Sequence, residues 1–404
     1  MAMSSHDVLF EIFSWLPAKA VYRFKSVGKF SLEFSDETLF ASKQAQNALL
    51  KDDTCFFIQS DIGQRYNGQT ELHPLPGEEL SSGVSDDVLQ FLTNSARIVA
   101  SSNGLILCRA TCQNQVELFI CNPATQSLSP IPIPEDLQVS VDADLKIVFE
   151  CHSDDCMLFL FCENPKDGWS SNLYCNVYLH KEGVWKAREE SFTTGARNLR
   201  FDIPVIHNGV IHFISDCSPY VNRNSQYFLP YIMSYNLESG ASRMLRVPKK
   251  ARRGFNDDSC NMGIFKWGKV TSSTKSICLV RLRNFVFTIW ALRDYESSSW
   301  RMILKIRVKA MGLVEQDPTV TGFTVLNGDL LVFATTKKVY GYGLSNENCI
   351  VLEEICEHGC ETGVCFTSYS NTLRTCGTDA TALPPKKKMM QPISPISVLG
   401  NRNG

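Results

Sequence analysis

Three Asn-Gly pairs constrain the fold of this chain more than any other feature of its sequence. The pairs, each between two apolar runs, are Asn103-Gly104, Asn208-Gly209 and Asn327-Gly328. Asn and Gly both tolerate the positive φ angles that a two-residue hairpin turn requires, so each pair predicts a tight β-hairpin. Each hairpin leads to an aromatic run that ends in polar residues, and then to a further apolar run. The same four-stranded unit is therefore predicted three times.

A second repeated pattern lies between these units, where an apolar run passes through polar residues into a run that carries a tryptophan. Trp185 and Trp300 mark this pattern and are 115 residues apart. Half of that interval, roughly 55 residues, is close to the length of one propeller blade. Five blades are predicted near residues 97–134, 145–190, 201–248, 261–308 and 319–356. A sixth combines residues 54–92 with the CFTSYS run near the C-terminus. A large irregular β-sandwich is the alternative.

The first 47 residues have a helical pattern instead. Ser4 and Asp7 have the spacing of a capping box. One apolar stripe follows, and Pro17 ends its helix. A second stripe runs from Ala20 to Val27, and a third helical stretch follows Asp36. Helices this short cannot bury all their apolar faces on one another, so they pack on the following domain or bind a partner.

Composition restricts the function classes. The 404 residues carry a formal net charge of −2, which offers no general field for a nucleic acid. There is no signal-peptide pattern and no run of about 18 apolar residues, so we expect a soluble protein without a membrane partner. Most of the 16 cysteines lie in apolar runs and are predicted to be reduced, buried and structural. Residues 377–404 are rich in Pro, Gly, Ser and charge, and are predicted to form a disordered tail.

The string DVLFEIFSWLPAKAVYRFKSVGKF near the N-terminus resembles the F-box, a small three-helix motif. It departs from that motif at Ser4-Ser5, Gly28 and Phe30, changes that remove apolar contact. The remainder resembles the F-box-associated, kelch-like domains of plant F-box proteins. The runs that carry this second resemblance are SNGL at 102–105, CNPAT at 121–125, the HNG turn at 207–209 and the IWAL strand at 289–292.

The resemblance implies an α+β multidomain chain: an F-box-like helical module at 1–47, a β-propeller-like domain of about six blades at 48–376, and the tail. It also implies a non-catalytic adaptor of an SCF-type cullin-RING ubiquitin ligase, cytoplasmic or nuclear. The F-box would bind a Skp-family subunit, and through it a cullin, while the β-domain holds an unidentified protein substrate. The residues expected to dock on the Skp-family subunit, or to support that contact, are Leu9, Ile12, Leu16, Pro17, Val21 and Phe24.

Two other functions compete with this interpretation. An F-box protein can act outside the ligase as a scaffold or transcriptional co-regulator, which the departures from the motif favour. The third hypothesis is a propeller enzyme. The sequence contains no phosphate-binding loop, nucleophile elbow or paired carboxylates, and we predict no catalytic residue and no cofactor.

Three further groups of residues contain side chains that could bind a metal ion or an anion. Cys356, His358, Cys360 and Cys365 have the atoms of a zinc site without the spacing of a common one, so no metal is predicted. His207 and His212 flank a hairpin and are predicted to be structural or exposed. The basic runs at 248–253 and 386–388 suggest solvated loops, with a nuclear import signal or an anion-binding patch as alternatives.

Overall fold

The chain was analysed as a computed structural model. The residues that it describes are 5–25, 38–60, 70–80, 83–112, 115–134, 145–152, 155–163, 172–217, 221–253, 259–344, 352–360, 363–377 and 380–383. Ser4, Gly28, Phe30 and the basic run at 386–388 lie outside these residues.

The described residues form a six-bladed β-propeller, which confirms the predicted architecture over the β-sandwich. Five blades follow one another along the chain, and each is an antiparallel sheet of consecutive strands. Blade 1 contains β3 (Arg97–Ser102), β4 (Leu105–Cys112), β5 (Gln115–Asn122) and β6 (Ser127–Ile131). Blade 2 contains β7 (Ile147–Cys151), β8 (Cys156–Glu163), β9 (Asn172–Leu179) and β10 (Val184–Thr193). Blade 3 contains β11 (Val205–His207), β12 (Val210–Ile214), β13 (Tyr231–Asn236) and β14 (Ser242–Arg246).

The next two blades repeat this order. Blade 4 contains β15 (Asn261–Trp267), β16 (Ser276–Arg283), β17 (Val286–Asp294) and β18 (Ser299–Arg307), followed by a short 3-10 helix (Val308–Met311). Blade 5 contains β19 (Gly322–Leu326), β20 (Leu330–Ala334), β21 (Lys338–Gly343) and β22 (Glu353–Glu357). The first strand of each blade lies nearest the centre, where β3 is next to β7, β11 to β15 and β15 to β19.

Blade 6 closes the ring with strands from both ends of the chain, as the sequence predicts. Its sheet has the order β2-β1-β23, with β1 (Cys55–Ser60) and β2 (Thr70–Pro74) from the N-terminal side and β23 (Val364–Tyr369) from the C-terminal side. β23 is the inner strand, packed beside β19 and β3. Residues in the predicted strand region 54–92 also form a helix, α4 (Asp86–Ser95), which packs on blades 6 and 1.

The three Asn-Gly pairs form the tight turns that the sequence predicts. In each pair both residues have positive φ, for example 54° at Asn327 and 73° at Gly328. Asn327 also joins blade 5 to blade 6, because its side-chain amide donates to the carbonyl oxygen of Asp53 at 3.0 Å and its side-chain oxygen accepts from the Asp53 amide at 2.9 Å. A Cβ at Gly328 would lie 2.3 Å from the carbonyl oxygen of Gly268, so only glycine fits there.

The hydrophobic core is divided among the blade junctions. Each of the six junctions has its own cluster of buried side chains from the facing sheets. The junction of blades 2 and 3 is aromatic, with Phe161 edge-on to Phe213 at 5.6 Å and to Tyr235 at 5.5 Å. Strands whose two faces both meet a neighbouring blade are apolar over most of their length, which explains the long apolar runs in the sequence.

The two repeated tryptophans have equivalent roles. The indole N–H of Trp185 on β10 donates to the carbonyl oxygen of Pro132 at 2.6 Å. That of Trp300 on β18 donates to the carbonyl oxygen of Arg246 at 2.9 Å. In both cases the outer strand of one blade is tied to the end of the outer strand of the blade before it.

The described cysteines agree with the prediction that most are reduced. Twelve of them are free, and eight of these are buried. Cys151 and Cys156, which face each other across β7 and β8, form a disulfide.

The prediction of a disordered tail from residue 377 is wrong for residues 380–383. There, β24 (Thr381–Ala382) pairs with β6, and the amide of Leu383 donates to the carbonyl oxygen of Gln126 at 2.9 Å. β6 is the outer strand of the four consecutive strands of blade 1, so its free backbone groups can form hydrogen bonds with this short segment. Residues 378, 379 and 384–404 of that tail lie outside the described part of the chain.

Among the described residues, three helices precede the propeller where the sequence predicts helices: α1 (Ser5–Ser14), α2 (Ala18–Lys25) and α3 (Thr38–Ala48). Within the described residues, none of the helices combines the length and the apolar character needed to cross a membrane.

Candidate partner-binding surface

The three N-terminal helices have one face that packs on the chain itself. Ala18, Val21, Phe40 and Ala41 are buried there against Leu373, which follows the inner strand β23. Phe10 stands edge-on to Phe40, with 5.4 Å between ring centroids. We call this group of side chains the inner cluster. It fixes the helices to the propeller next to the site of ring closure.

Hydrogen bonds hold the helices in that position. The side chain of Gln44 donates to the carbonyl oxygen of Leu16 at 3.0 Å and accepts from the amide of Leu373 at 2.9 Å, so one buried amide connects α3, the end of α1 and the propeller. Asn47 donates to the Ser14 hydroxyl at 2.8 Å. Because these polar groups are buried, each requires its partner, and the helices are held in one orientation.

The opposite face of the helices is apolar and open to solvent. Val8 and Ile12 of α1 and Trp15, directly after its end, have the spacing i, i+4 and i+7 and are 41%, 53% and 38% exposed. Phe24 of α2 is 46% exposed, and its ring centroid lies 5.6 Å from that of Phe13. Tyr22 is 38% exposed but lies on another side of α2, where it lines a cleft with Gly83 and Pro123 of the propeller domain. We call Val8, Ile12, Trp15 and Phe24 the outer face. Single exposed apolar side chains are common, but a group of this size on two adjacent helices is typical of a binding surface.

Charged residues border the outer face. Glu11 accepts from the indole N–H of Trp15 at 3.2 Å and forms an ion pair with Lys43 at 3.3 Å. The ammonium of Lys51 lies 5.4 Å from the centroid of the Trp15 ring. Trp15 is therefore held in place by its neighbours, and a fixed aromatic ring loses little conformational entropy when a partner covers it.

The structure divides the predicted docking residues between the two faces. Ile12 and Phe24 lie on the outer face, available to a partner. Leu9 and Leu16 are half-buried against the inner cluster, and Val21 is only 3% exposed. Half-buried Pro17 directly precedes α2, and its carbonyl oxygen accepts from the amides of Ala20 and Val21 in the first turn. Leu9, Leu16 and Val21 thus support the surface from below.

Sequence reasoning missed Val8 and Trp15 as members of the outer face. It treated residues 8, 9, 12, 13 and 16 as one stripe, whereas the structure turns Val8 and Ile12 outward and Leu9, Phe13 and Leu16 inward. The spacing of Val8, Ile12 and Trp15 was the available signal. A helix with two adjacent apolar stripes can pack two surfaces against other parts of a protein. The periodicity of the sequence does not show which stripe packs within the chain and which remains exposed.

Side chains that resemble metal ligands in the sequence have other roles. His358 uses both ring nitrogens on backbone groups: Nε2 is 2.9 Å from the carbonyl oxygen of Thr335, and Nδ1 accepts from the amide of Cys360 at 3.2 Å. Over the described residues, His, Cys, Asp and Glu form no group of three that could hold a metal ion.

His212 is a buried structural residue, as predicted. Its Nδ1 is 3.2 Å from the carbonyl oxygen of Val205, and its Nε2 is 3.1 Å from the hydroxyl of Tyr295 in the next blade. Burial lowers the pKa of His212 to about 4, so the ring is neutral at pH 7. Protonation would place a positive charge in this buried position, so it opposes folding even though both contacts accept a hydrogen bond.

We expect acid to weaken the fold through His212. The unfolded chain binds a proton on this ring near pH 6.5, whereas the folded chain binds it only near pH 4. The stability that depends on the neutral ring is therefore fully present above pH 6.5 and is lost as the pH falls toward 4. The free energy of unfolding should drop by about 3 kcal/mol over that range because of this group. Urea unfolding followed by tryptophan fluorescence at several pH values measures it. His212→Gln should flatten the slope between pH 6.5 and 4, and equal slopes in the two proteins would contradict the assignment.

A propeller with a helical module on its closure site, exposing an apolar face, is built as a protein-interaction module. The chain belongs to the family described as F-box protein At3g26010-like, beta-propeller, whose model matches residues 88–321, more than half of the chain. It is similar to the F-box protein At5g49610 of Arabidopsis thaliana, with 23% identity over 363 residues that cover 84% of this chain and 88% of the relative. It is also similar to the Arabidopsis thaliana F-box protein At5g07610, with 24% identity over 217 residues, 51% of this chain and 50% of the relative.

Proposed function

We propose that this protein is a substrate-recognition adaptor of an SCF-type cullin-RING ubiquitin ligase, without catalytic residues of its own. Residues 1–47 would act as the F-box and bind a Skp-family subunit, and through it a cullin. The β-domain, residues 48–376, would hold the protein to be ubiquitylated. We place this function in the cytoplasm, the nucleus or both.

The observation that carries the proposal is the outer face. Had the helices been enclosed by the propeller, no surface would remain for a second polypeptide. Instead, Ile12 is 53% exposed although it lies on the apolar side of an amphipathic helix. Removing such a face from water contributes about 25 cal/mol for each Å² of apolar surface, which supplies the driving force for association. The F-box names of both relatives support the same role.

The arrangement suits an adaptor physically. Gln44 and the inner cluster anchor the helices to the propeller, so a subunit bound to the outer face would be held at a defined distance from anything bound by the blades. Rigid placement raises the effective concentration of the captured protein at the ligase.

The direct test is co-expression of the full chain with a plant Skp-family subunit. We expect the two to co-elute in a one-to-one complex from affinity purification and size-exclusion chromatography. Adding the cullin should give a ternary complex. Failure to recover the Skp-family subunit in any proportion would overturn the proposal and would favour a role outside the ligase.

A further inference from the structure

The junction of blades 3 and 4 contains a cleft with an unusual combination of charge and aromatic surface. Its volume is about 460 Å³, within the range of small ligand sites. Four cationic residues line it, and none of the other described residues that line it is acidic. They are Arg246, Lys249, Lys250 and Arg252. We call it the basic cleft.

The basic run that forms one wall is a surface turn with exposed lysines, as its sequence suggests, and hydrogen bonds fix its backbone. Arg281 of β16 donates to the carbonyl oxygens of Lys250 at 2.9 Å, Ala251 at 3.2 Å and Arg253 at 3.2 Å. Arg252 donates through Nε to the carbonyl oxygen of Val247 at 2.9 Å, and Ala251 is fully buried. The backbone of the turn is therefore fixed against the blade, which places its cations at one side of the cleft before any ligand arrives.

Among the described residues, no carboxylate forms an ion pair with the cations of the cleft, and two carboxylates of the adjoining turn are already engaged. Asp294 accepts from the amide of Ser297 at 3.0 Å, and Glu296 pairs with Arg243 at 2.7 Å. Burial and then the charge of Arg246 lower the pKa of Arg252, as expected for like charges gathered in one place.

The other wall is apolar. Trp290 is buried beneath the cleft, with the guanidinium of Arg281 over its ring at 5.7 Å. Trp300 is fixed by its hydrogen bond to the carbonyl oxygen of Arg246. Met302 is 47% exposed beside it, although it carries a large apolar side chain. A ligand that fills the cleft must therefore present negative charge and apolar surface side by side.

We infer that the basic cleft binds an acidic peptide segment of a partner protein, in which carboxylates flank one apolar side chain. The carboxylates would lie against the four cations and the apolar side chain against Met302 and Trp300. A nucleic acid needs a longer track of positive charge than one cleft on a chain of net charge −2 provides. This inference rests on the proposed function to the extent that the captured protein would supply the peptide.

The test measures binding of a fluorescein-labelled peptide, a central Leu with Glu residues on both sides, to the full chain by fluorescence anisotropy. We expect saturable binding that weakens with salt, and binding at least about tenfold weaker for the same peptide with Gln in place of Glu. Reversing both exposed lysines, Lys249→Glu with Lys250→Glu, should weaken binding by about tenfold or more. The matched control is Lys181→Glu, an exposed lysine on a turn of blade 2, which should leave binding unchanged.

Several results would overturn the inference. They are equal binding of the Glu and Gln peptides, equal loss in the Lys181→Glu control, and tighter binding of a single-stranded oligonucleotide than of the peptide. Thermal melts of each variant show whether it is folded. No Skp-family subunit is present in this assay, and Ile12→Asp protein should bind the peptide normally. The cleft and the proposed ligase role can therefore fail separately.

Discussion

Replacing Ile12 by Asp should abolish recovery of the Skp-family subunit while leaving the protein folded. Ile12 is 53% exposed at the middle of the outer face, so a carboxylate there is solvated in the free chain and costs little stability. In the complex the same carboxylate would be buried without a partner. Replacing a central apolar residue of an interface typically lowers the binding free energy by about 2–4 kcal/mol, which corresponds to roughly 30- to 1,000-fold weaker affinity. Titration calorimetry, or pull-down at limiting concentration, measures the loss, and Phe24→Asp should behave alike.

Val314→Asp is the matched control for Ile12→Asp. Val314 is another β-branched side chain, 87% exposed and remote in sequence from the helices, so its replacement tests whether any new surface charge disturbs the complex. Leu16→Asp is less informative, because Leu16 also packs on the inner cluster and its loss should lower the melting temperature. Unchanged affinity in folded Ile12→Asp protein would remove the outer face from the proposed interface.

Ending the chain after Cys360 should prevent folding, whereas ending it after Leu383 should have little effect. The shorter chain lacks β23, whose six residues pair with β1 from Cys55↔Tyr369 to Ser60↔Val364. All six residues of β1 are buried, so Phe56 and Phe57 would face water. Each such exposure costs about 2–3 kcal/mol, against a typical total stability of about 5–15 kcal/mol.

The truncation after Cys360 also removes contacts that fix the helices. Leu373 leaves the inner cluster, and Asn122 loses the carbonyl oxygens of Thr372 and Arg374 that its side chain contacts. Soluble yield, size-exclusion profile and the cooperativity of thermal unfolding distinguish the two chains. A cooperative melt of the shorter chain near the melting temperature of the full chain would show that blade 6 closes without β23.

Much of the propeller could be predicted because its signals are local. Asn103-Gly104 and the two later Asn-Gly pairs require only that two neighbouring residues adopt positive φ, and the structure shows this at all three. The spacing of Trp185 and Trp300 likewise reflects a repeated local unit, so five blades were predicted close to their observed positions. The sequence analysis did not predict the helix α4, because its short amphipathic run lies largely within residues 54–92, which were assigned to strands of the sixth blade.

The candidate sites were less predictable because their roles depend on non-local contacts. The sequence shows that α1 is apolar on more than one stripe, but only the position of Leu373 decides that Leu9 and Leu16 face inward. It shows a basic run at 248–253, but only Arg281, from another strand, turns that run into a fixed wall.

By itself the sequence determined the strand pattern, the hairpin turns and the three N-terminal helices, since each follows from the conformational preferences and apolar periodicity of residues close together in the chain. The tertiary structure alone decided which apolar face is covered and which cations meet in one cleft. It also decided that β24 is ordered within the predicted tail. These outcomes depend on segments far apart in sequence, and the free energy of such contacts is set by packing rather than by local preference.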